Sequence, residues 1–214
     1  MTTAFLDSAP RRRSRSWPTL AAALGLLASV ALSSPAAAAE KPYRFDLYRQ
    51  GDFVSQTTVY MCVGASMQMM LNMIGEKDDR TAATQRTLQN LARNLSGPSR
   101  TGRQRQGASV RGWSGGLNQL NAGPYRLVGT TSLEEALHMS AKAIRQTGKP
   151  VGLLVWRGAH AWVVSGFEAT GDPLFDPDAK VTHLYILDPY YPRVSKTWGP
   201  GPAPHSKQIG RAHV

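Results

Sequence analysis

The chain has 214 residues, of which 42% are hydrophobic and 18% charged, and it carries a formal net charge of +11. Its single cysteine, Cys62, excludes an intrachain disulfide framework. Neither a cysteine pair nor an H-E-x-x-H run is present to build a zinc site, so no metal or other cofactor is expected.

The first 39 residues have the three regions of an export signal in the required order. Basic Arg11-Arg12-Arg13-Ser14-Arg15 comes first, then the apolar run Leu20 to Leu32, then Ser33-Ser34-Pro35-Ala36-Ala37-Ala38-Ala39. The apolar run is about 13 residues, short of the roughly 20 that span a bilayer. Small residues offer an A-x-A type cleavage site just before Glu40. The expectation is a signal peptide over 1–39, exported by the Sec or the twin-arginine route, and a secreted or extracytoplasmic mature protein. Loss of four arginines and Asp7 with the leader lowers the charge by 3, to +8.

The mature remainder is long enough for one domain with a sizeable core, expected over 40–198. Residues 199–214 read as a polar tail. The last six, Ile209-Gly210-Arg211-Ala212-His213-Val214, resemble the in-frame translation of a sequencing-library adapter, so His213 is assigned no role.

Tyr43 to Phe53 is a mixed segment leading into a helix over Val63 to Ile74. There Met67, Met70, Leu71 and Ile74 recur at the helical period, and Gly75 is the expected stop. Thr81 to Leu95 gives a second helix through Ala83, Leu88, Leu91 and Leu95, and the Gly-, Ser- and Arg-rich stretch 97–107 reads as a loop. Arg80, Arg86, Arg93, Arg100, Arg103, Arg105 and Arg111 hold much of the positive charge. Few aromatics interleave them and no nucleic-acid motif accompanies them, so no nucleic-acid partner is expected. A solvated face with weak attraction to anionic cell-wall polymers is expected instead.

Trp113 to Leu120 is a short helix, and Ser132-Leu133-Glu134-Glu135 is a capping box opening a helix that ends at Gly148. Strands follow at Val151 to Trp156, His160 to Phe167 and Thr182 to Leu187, with Arg157-Gly158-Ala159 as a hairpin turn between the first two. The insert Gly171 to Lys180 contains Asp172, Asp176 and Asp178 but lacks the twelve-residue calcium-loop spacing, so it reads as a solvated loop. Helices first and strands second predict an α+β domain.

Four polar residues stand out in this frame. Cys62 precedes the Met-rich helix, where unsatisfied N–H groups and the positive dipole end favour a thiolate. His160 opens the second strand, on a face with Trp162, Val164 and Gly166. Asp188 closes the third, on a face with Leu184 and Ile186. Antiparallel pairing of these strands brings His160 and Asp188 together at one sheet edge, and cysteine catalysis needs a thiol, an imidazole and a group orienting the ring. Gln56, six residues before Cys62, offers an amide to an oxyanion. Each residue has a structural alternative: a buried cysteine, a core histidine, an Asp-Pro turn. Trp113, Trp156, Tyr190 and Tyr191 suit either a groove or packing, and Trp162 suits packing.

Gln56…Cys62-Val63-Gly64-Ala65-Ser66-Met67, Gly148-Lys149-Pro150-Val151-Gly152, His160-Ala161-Trp162-Val163-Val164-Ser165-Gly166 and Asp188-Pro189 together resemble the C39-like group. That group is related to the bacteriocin-processing double-glycine peptidases of the papain clan. The resemblance spans roughly Phe53 to Trp198 and implies a papain-like fold, with Cys62 as nucleophile, His160 as base, Asp188 as orienting carboxylate and Gln56 in the oxyanion hole. Two departures are visible: the usual Cys-Gly-Pro-Ala is Cys62-Val63-Gly64-Ala65, and the 171–180 insert lengthens the His-to-Asp interval. The expected function is an exported cysteine peptidase acting on a peptide or protein. The alternatives are a non-catalytic peptide-binding module, or a Cys-dependent amidase or acyltransferase acting on cell-wall peptides. Met61-Cys62-Val63 differs from the Asp-Cys-Ser usual in Cys-His wall hydrolases.

Overall fold

The computed structural model describes residues 42–98 and 106–208, all within one compact unit, Glu40–Val214. The leader, Arg100, Arg103, Arg105 and the adapter-like residues 209–214 lie outside the described residues. The described elements are mixed helix and antiparallel sheet, an α+β papain-like fold. They run in the order β1 (Tyr43–Asp46), α1 (Cys62–Gly75), α2 (Ala82–Asn94), α3 (Val110–Gln119), α4 (Leu133–Thr147), β2 (Val151–Val155), β3 (His160–Ala169), β4 (Val181–Leu187), β5 (Val194–Ser195), β6 (Gly199–Pro200) and β7 (Ser206–Gln208).

α1 is the central helix. Val63 through Met70 are all buried, and a helix apolar on nearly every side must be enclosed rather than laid on a surface. Met67, Met69, Met70 and Met73 pack with Leu88 and Ala92 of α2, Trp113 and Leu117 of α3, and Ala161, Val163 and Leu187 of the sheet. Thioether side chains fill irregular gaps, which suits a helix meeting three neighbours of different shape. α1 ends at Gly75, the expected stop, although the left-handed cap falls one residue later. Glu76 takes that conformation (φ 54°), with its N–H on Asn72 O.

α2 and α4 begin and end where their caps predict. Thr81 accepts from the Thr84 N–H, Ser132 accepts from the Glu135 N–H, and Gly148 closes α4 at φ 63°. The reciprocal half of the box at Ser132 is relayed, because the Glu135 carboxylate accepts from the Thr130 hydroxyl, which in turn receives the Ser132 N–H. α3 starts earlier than the apolar pattern suggests, since Ser109 caps it at Gly112 N–H.

β3 is the spine of the sheet, with all ten residues buried. β2 and β1 lie end to end along one edge of β3, pairing with His160–Val164 and Gly166–Ala169 respectively, and β4 pairs along the other. α1 lies on one face and α4 on the opposite face, where Ala141 and Ile144 pack with Trp162, Val164, Phe167, Leu184 and Ile186. One face assignment is corrected. The register slips between Val164 and Gly166, so Phe167 and Ala169, rather than Gly166, continue the face of Trp162 and Val164. Residues 199–208 are not simply a polar tail: β6 pairs with β5, and β7 pairs with β4 in the main sheet.

Gly112 marks where α3 crosses α2. A Cβ there would overlap the Ala92 carbonyl and the Ser96 hydroxyl, both fixed by their own bond. Gly112→Ala is therefore expected to destabilise the domain by about 1–3 kcal/mol through overpacking. Urea denaturation would read this as a lower midpoint at an unchanged slope.

Candidate active site

The strand register sets the first contact. Val163 pairs with Leu187, so continuing the ladder places Asp188 opposite Trp162, diagonal to His160 on the same face. His160 Nε2 meets Asp188 Oδ1 at 2.6 Å, with the two residues 3% and 0% exposed. The Cys62 thiol lies near enough to the ring to act on its charge, and Nδ1 is the ring nitrogen that Asp188 does not occupy. Three of the four residues singled out in the sequence thus meet, at the junction of the α1 N-terminus, the start of β3 and the end of β4.

Burial alone drives the His160 ring toward the neutral form. The bonds from Asp188 and Cys62, with their charges, outweigh it and raise the pKa from 6.5 to about 9. Asp188 Oδ1 also accepts the Tyr190 N–H at 2.7 Å, while Oδ2 is buried without a hydrogen-bond partner. A Cβ at Gly201 would stand 3.0 Å from that Oδ2 and 2.9 Å from Tyr191 N, so glycine lets the chain after β6 close over the carboxylate.

Around Cys62 the helix start is unusually bare. Met61 offers no side-chain cap, and the first turn of α1 contains no acidic residue. The positive dipole end therefore faces the partly exposed thiol without a competing carboxylate.

Gln56 is tied to the same junction by its backbone. Its N–H donates to Pro189 O at 2.8 Å, and the Ser55 hydroxyl donates to Tyr191 O at 2.6 Å. The Gln56 amide Nε2 donates to Thr58 O at 2.9 Å, which uses one of its two N–H bonds; Oε1 is buried and unpartnered.

The aromatics divide into two groups. Trp113 and Trp162 are core residues, and Tyr191 meets Phe53 edge-on. Trp156 stacks on the His160 ring with centroids 4.2 Å apart, Tyr190 meets that ring edge-on at 5.8 Å, and Trp198 stacks on Trp156 at 6.1 Å. The expected turn between β2 and β3 is a 3-10 turn at Trp156–Gly158, in which Trp156 and Arg157 adopt φ 55° and 54°. Such conformations are strained for bulky residues.

A buried imidazole bonded to an enclosed carboxylate, with a thiol nearby, stands on an α+β papain-like fold with helices on both faces of the sheet. A model of the Peptidase_C39 like family matches residues 44–205, most of the chain. The chain belongs to the Peptidase_C39 like family. No curated protein and no solved structure matches it.

A raised His160 pKa has a definite sign. Its contribution to folding is complete below the unfolded value near 6.5 and is lost as pH rises through about 9. The imidazole C–H resonance is expected to titrate near 9 in the wild type. In Asp188→Asn the midpoint should fall to 6.5 or below, because burial then meets less opposition. A midpoint still near 9 would remove the carboxylate as its cause.

Proposed function

We propose that this chain is an exported cysteine peptidase, hydrolysing peptide bonds through an acyl-enzyme on Cys62. His160 takes the thiol proton, the Cys62 sulfur adds to the carbonyl carbon, and the oxyanion accepts from the Cys62 N–H and the free Gln56 N–H. His160 then protonates the leaving amine as the C–N bond breaks, and a thioester remains. Water gives a proton to His160, adds to the thioester and releases the acid, returning the thiol. Asp188 holds the ring in the orientation for both transfers.

Membership of a peptidase family supports this reading. The observation that carries it is the His160 imidazole, 3% exposed, bonded to Asp188 at 2.6 Å and pushed up in pKa by its neighbours Asp188 and Cys62. The substrate is a peptide or protein. The leader supports a secreted or extracytoplasmic location, and the charge of +8 left without it supports a weak attraction to anionic wall polymers.

Iodoacetamide is expected to alkylate the wild-type chain at Cys62 faster than a free thiol and to leave Cys62→Ala unlabelled. Mass spectrometry of peptide and muropeptide libraries should show hydrolysis products in the wild type. His160→Ala should lower the rate by about 10²–10⁴-fold. Binding without turnover would point to a non-catalytic module, and products joined to an amine acceptor would point to an acyltransferase.

A further inference from the structure

Two glutamines of α2 take no part in the chemistry above, yet they lie beneath both halves of it. Gln85 and Gln89 are one helical turn apart, 1% and 2% exposed, on the face of α2 pressed against α1. A buried amide is costly unless its donors and acceptor are used. Both side chains use theirs chiefly on the 55–64 stretch.

Gln85 Oε1 accepts from the Thr57 N–H at 2.7 Å and the Thr57 hydroxyl at 2.9 Å, and its Nε2 donates to Ser55 O at 3.1 Å. Its backbone bonds therefore fall on the two neighbours of Gln56. Gln89 Oε1 accepts from the Gly64 N–H at 2.8 Å, and its Nε2 donates to Tyr60 O at 2.9 Å and, at 3.5 Å, to Gln106 O. The first two of these straddle Cys62, two residues away on either side.

The departure at Gly64 explains the need for the second clamp. In the C39-like pattern this position is proline, which has no N–H to satisfy. Glycine does have one, in the first turn of a helix whose own Met61 supplies no cap. Gln89 provides the acceptor from the neighbouring helix. Glycine also admits α2: a Cβ at Gly64 would stand 2.7 Å from Gln85 O and 2.8 Å from Gln89 Cβ.

We infer that Gln85 and Gln89 are positioning residues, Gln85 for the oxyanion donor Gln56 and Gln89 for the nucleophile Cys62, an inference that rests on the peptidase reading. Each side chain acts through the backbone it fixes, and neither touches a reacting atom.

Two reactions of the full chain separate these roles from simple stabilisation. With iodoacetamide, the Cys62 sulfur displaces iodide and no oxyanion forms. With p-nitrophenyl acetate, it adds to the acetyl carbonyl, passes through a tetrahedral oxyanion, expels p-nitrophenolate and leaves an acetyl thioester. Gln85→Met is expected to slow acetylation by about 10²-fold and to leave alkylation unchanged, as Gln56→Ala should. Gln89→Met should slow both.

The glutamate variants keep the test open if a methionine variant does not fold. A neutral carboxylic acid donates and accepts as the amide does, and the ionised form only accepts. Gln89→Glu should therefore react like wild type on the acid side, relative to wild type at the same pH, and lose both reactions reversibly as its carboxyl ionises. Gln85→Glu should lose acetylation alone over the same range.

Equal effects of Gln85→Met on the two reactions, or wild-type rates for Gln89→Met, would overturn the inference while the peptidase reading stands. Where folding denies those variants, glutamate variants with pH profiles parallel to wild type would overturn it. A wild-type thiol no more reactive toward either probe than free cysteine would overturn the peptidase reading, and the inference with it.

Discussion

The 2.6 Å bond between His160 and Asp188 is the constraint that most of this molecule is arranged to meet. A charged pair this deeply enclosed gains from its mutual attraction only if water stays out and the geometry is held. The strand register holds the geometry, since the Val163–Leu187 pairing fixes the diagonal on which the two side chains lie. Trp156, Tyr190 and the Gly201 segment exclude the water. The raised His160 pKa shows that the attraction prevails over burial, which acts in the opposite direction.

The other half of the site depends on how α1 is seated. Its N-terminus bears Cys62, and its body is gripped by the sheet on one side and by α2 and α3 on the others. Rigid burial of the body fixes where the first turn points, which a surface helix with a frayed start would not do. Gly64, which stands where the C39-like pattern has proline, leaves room for α2 at the same place where an extra N–H must be satisfied. One glycine thus creates a polar demand and opens the space from which it is met.

The sequence period revealed the main elements because their burial is one-sided or complete. Met67, Met70 and Leu71 mark α1, Ser132 and Gly148 bracket α4, and the β-rich run after His160 marks the spine strand. Cys62, His160 and Asp188 were legible because order and element type place them at element ends, where strand pairing and a helix start converge. Other features depend on partners distant in sequence. Gln85 and Gln89 look like ordinary surface polar residues until their spacing is set beside buried Leu88 and Ala92. Trp156 reaches the His160 ring through a turn in which it and Arg157, and not Gly158 alone, take left-handed backbone, and the slip after Val164 is a property of pairing rather than of composition.

The C-terminal strands follow from the same constraint. After Asp188 the chain runs out through β5 and β6, returns over the carboxylate at Gly201, and must then be anchored if that cover is to stay in place. β7 supplies the anchor by pairing with β4, the strand that ends one residue before Asp188. Side chains reinforce it: His205 bonds Asp46 at 2.6 Å between the rings of Tyr48 and Tyr185, and Lys207 meets Glu168 at 2.7 Å. Those partners lie on or beside β1, β3 and β4, so the closing segment is tied to the same sheet that positions His160. A polar composition conceals this, because the residues that lock β7 are charged and aromatic rather than aliphatic. The enclosure of Asp188 is thus completed by a segment whose sequence gives no apolar sign of belonging to the core.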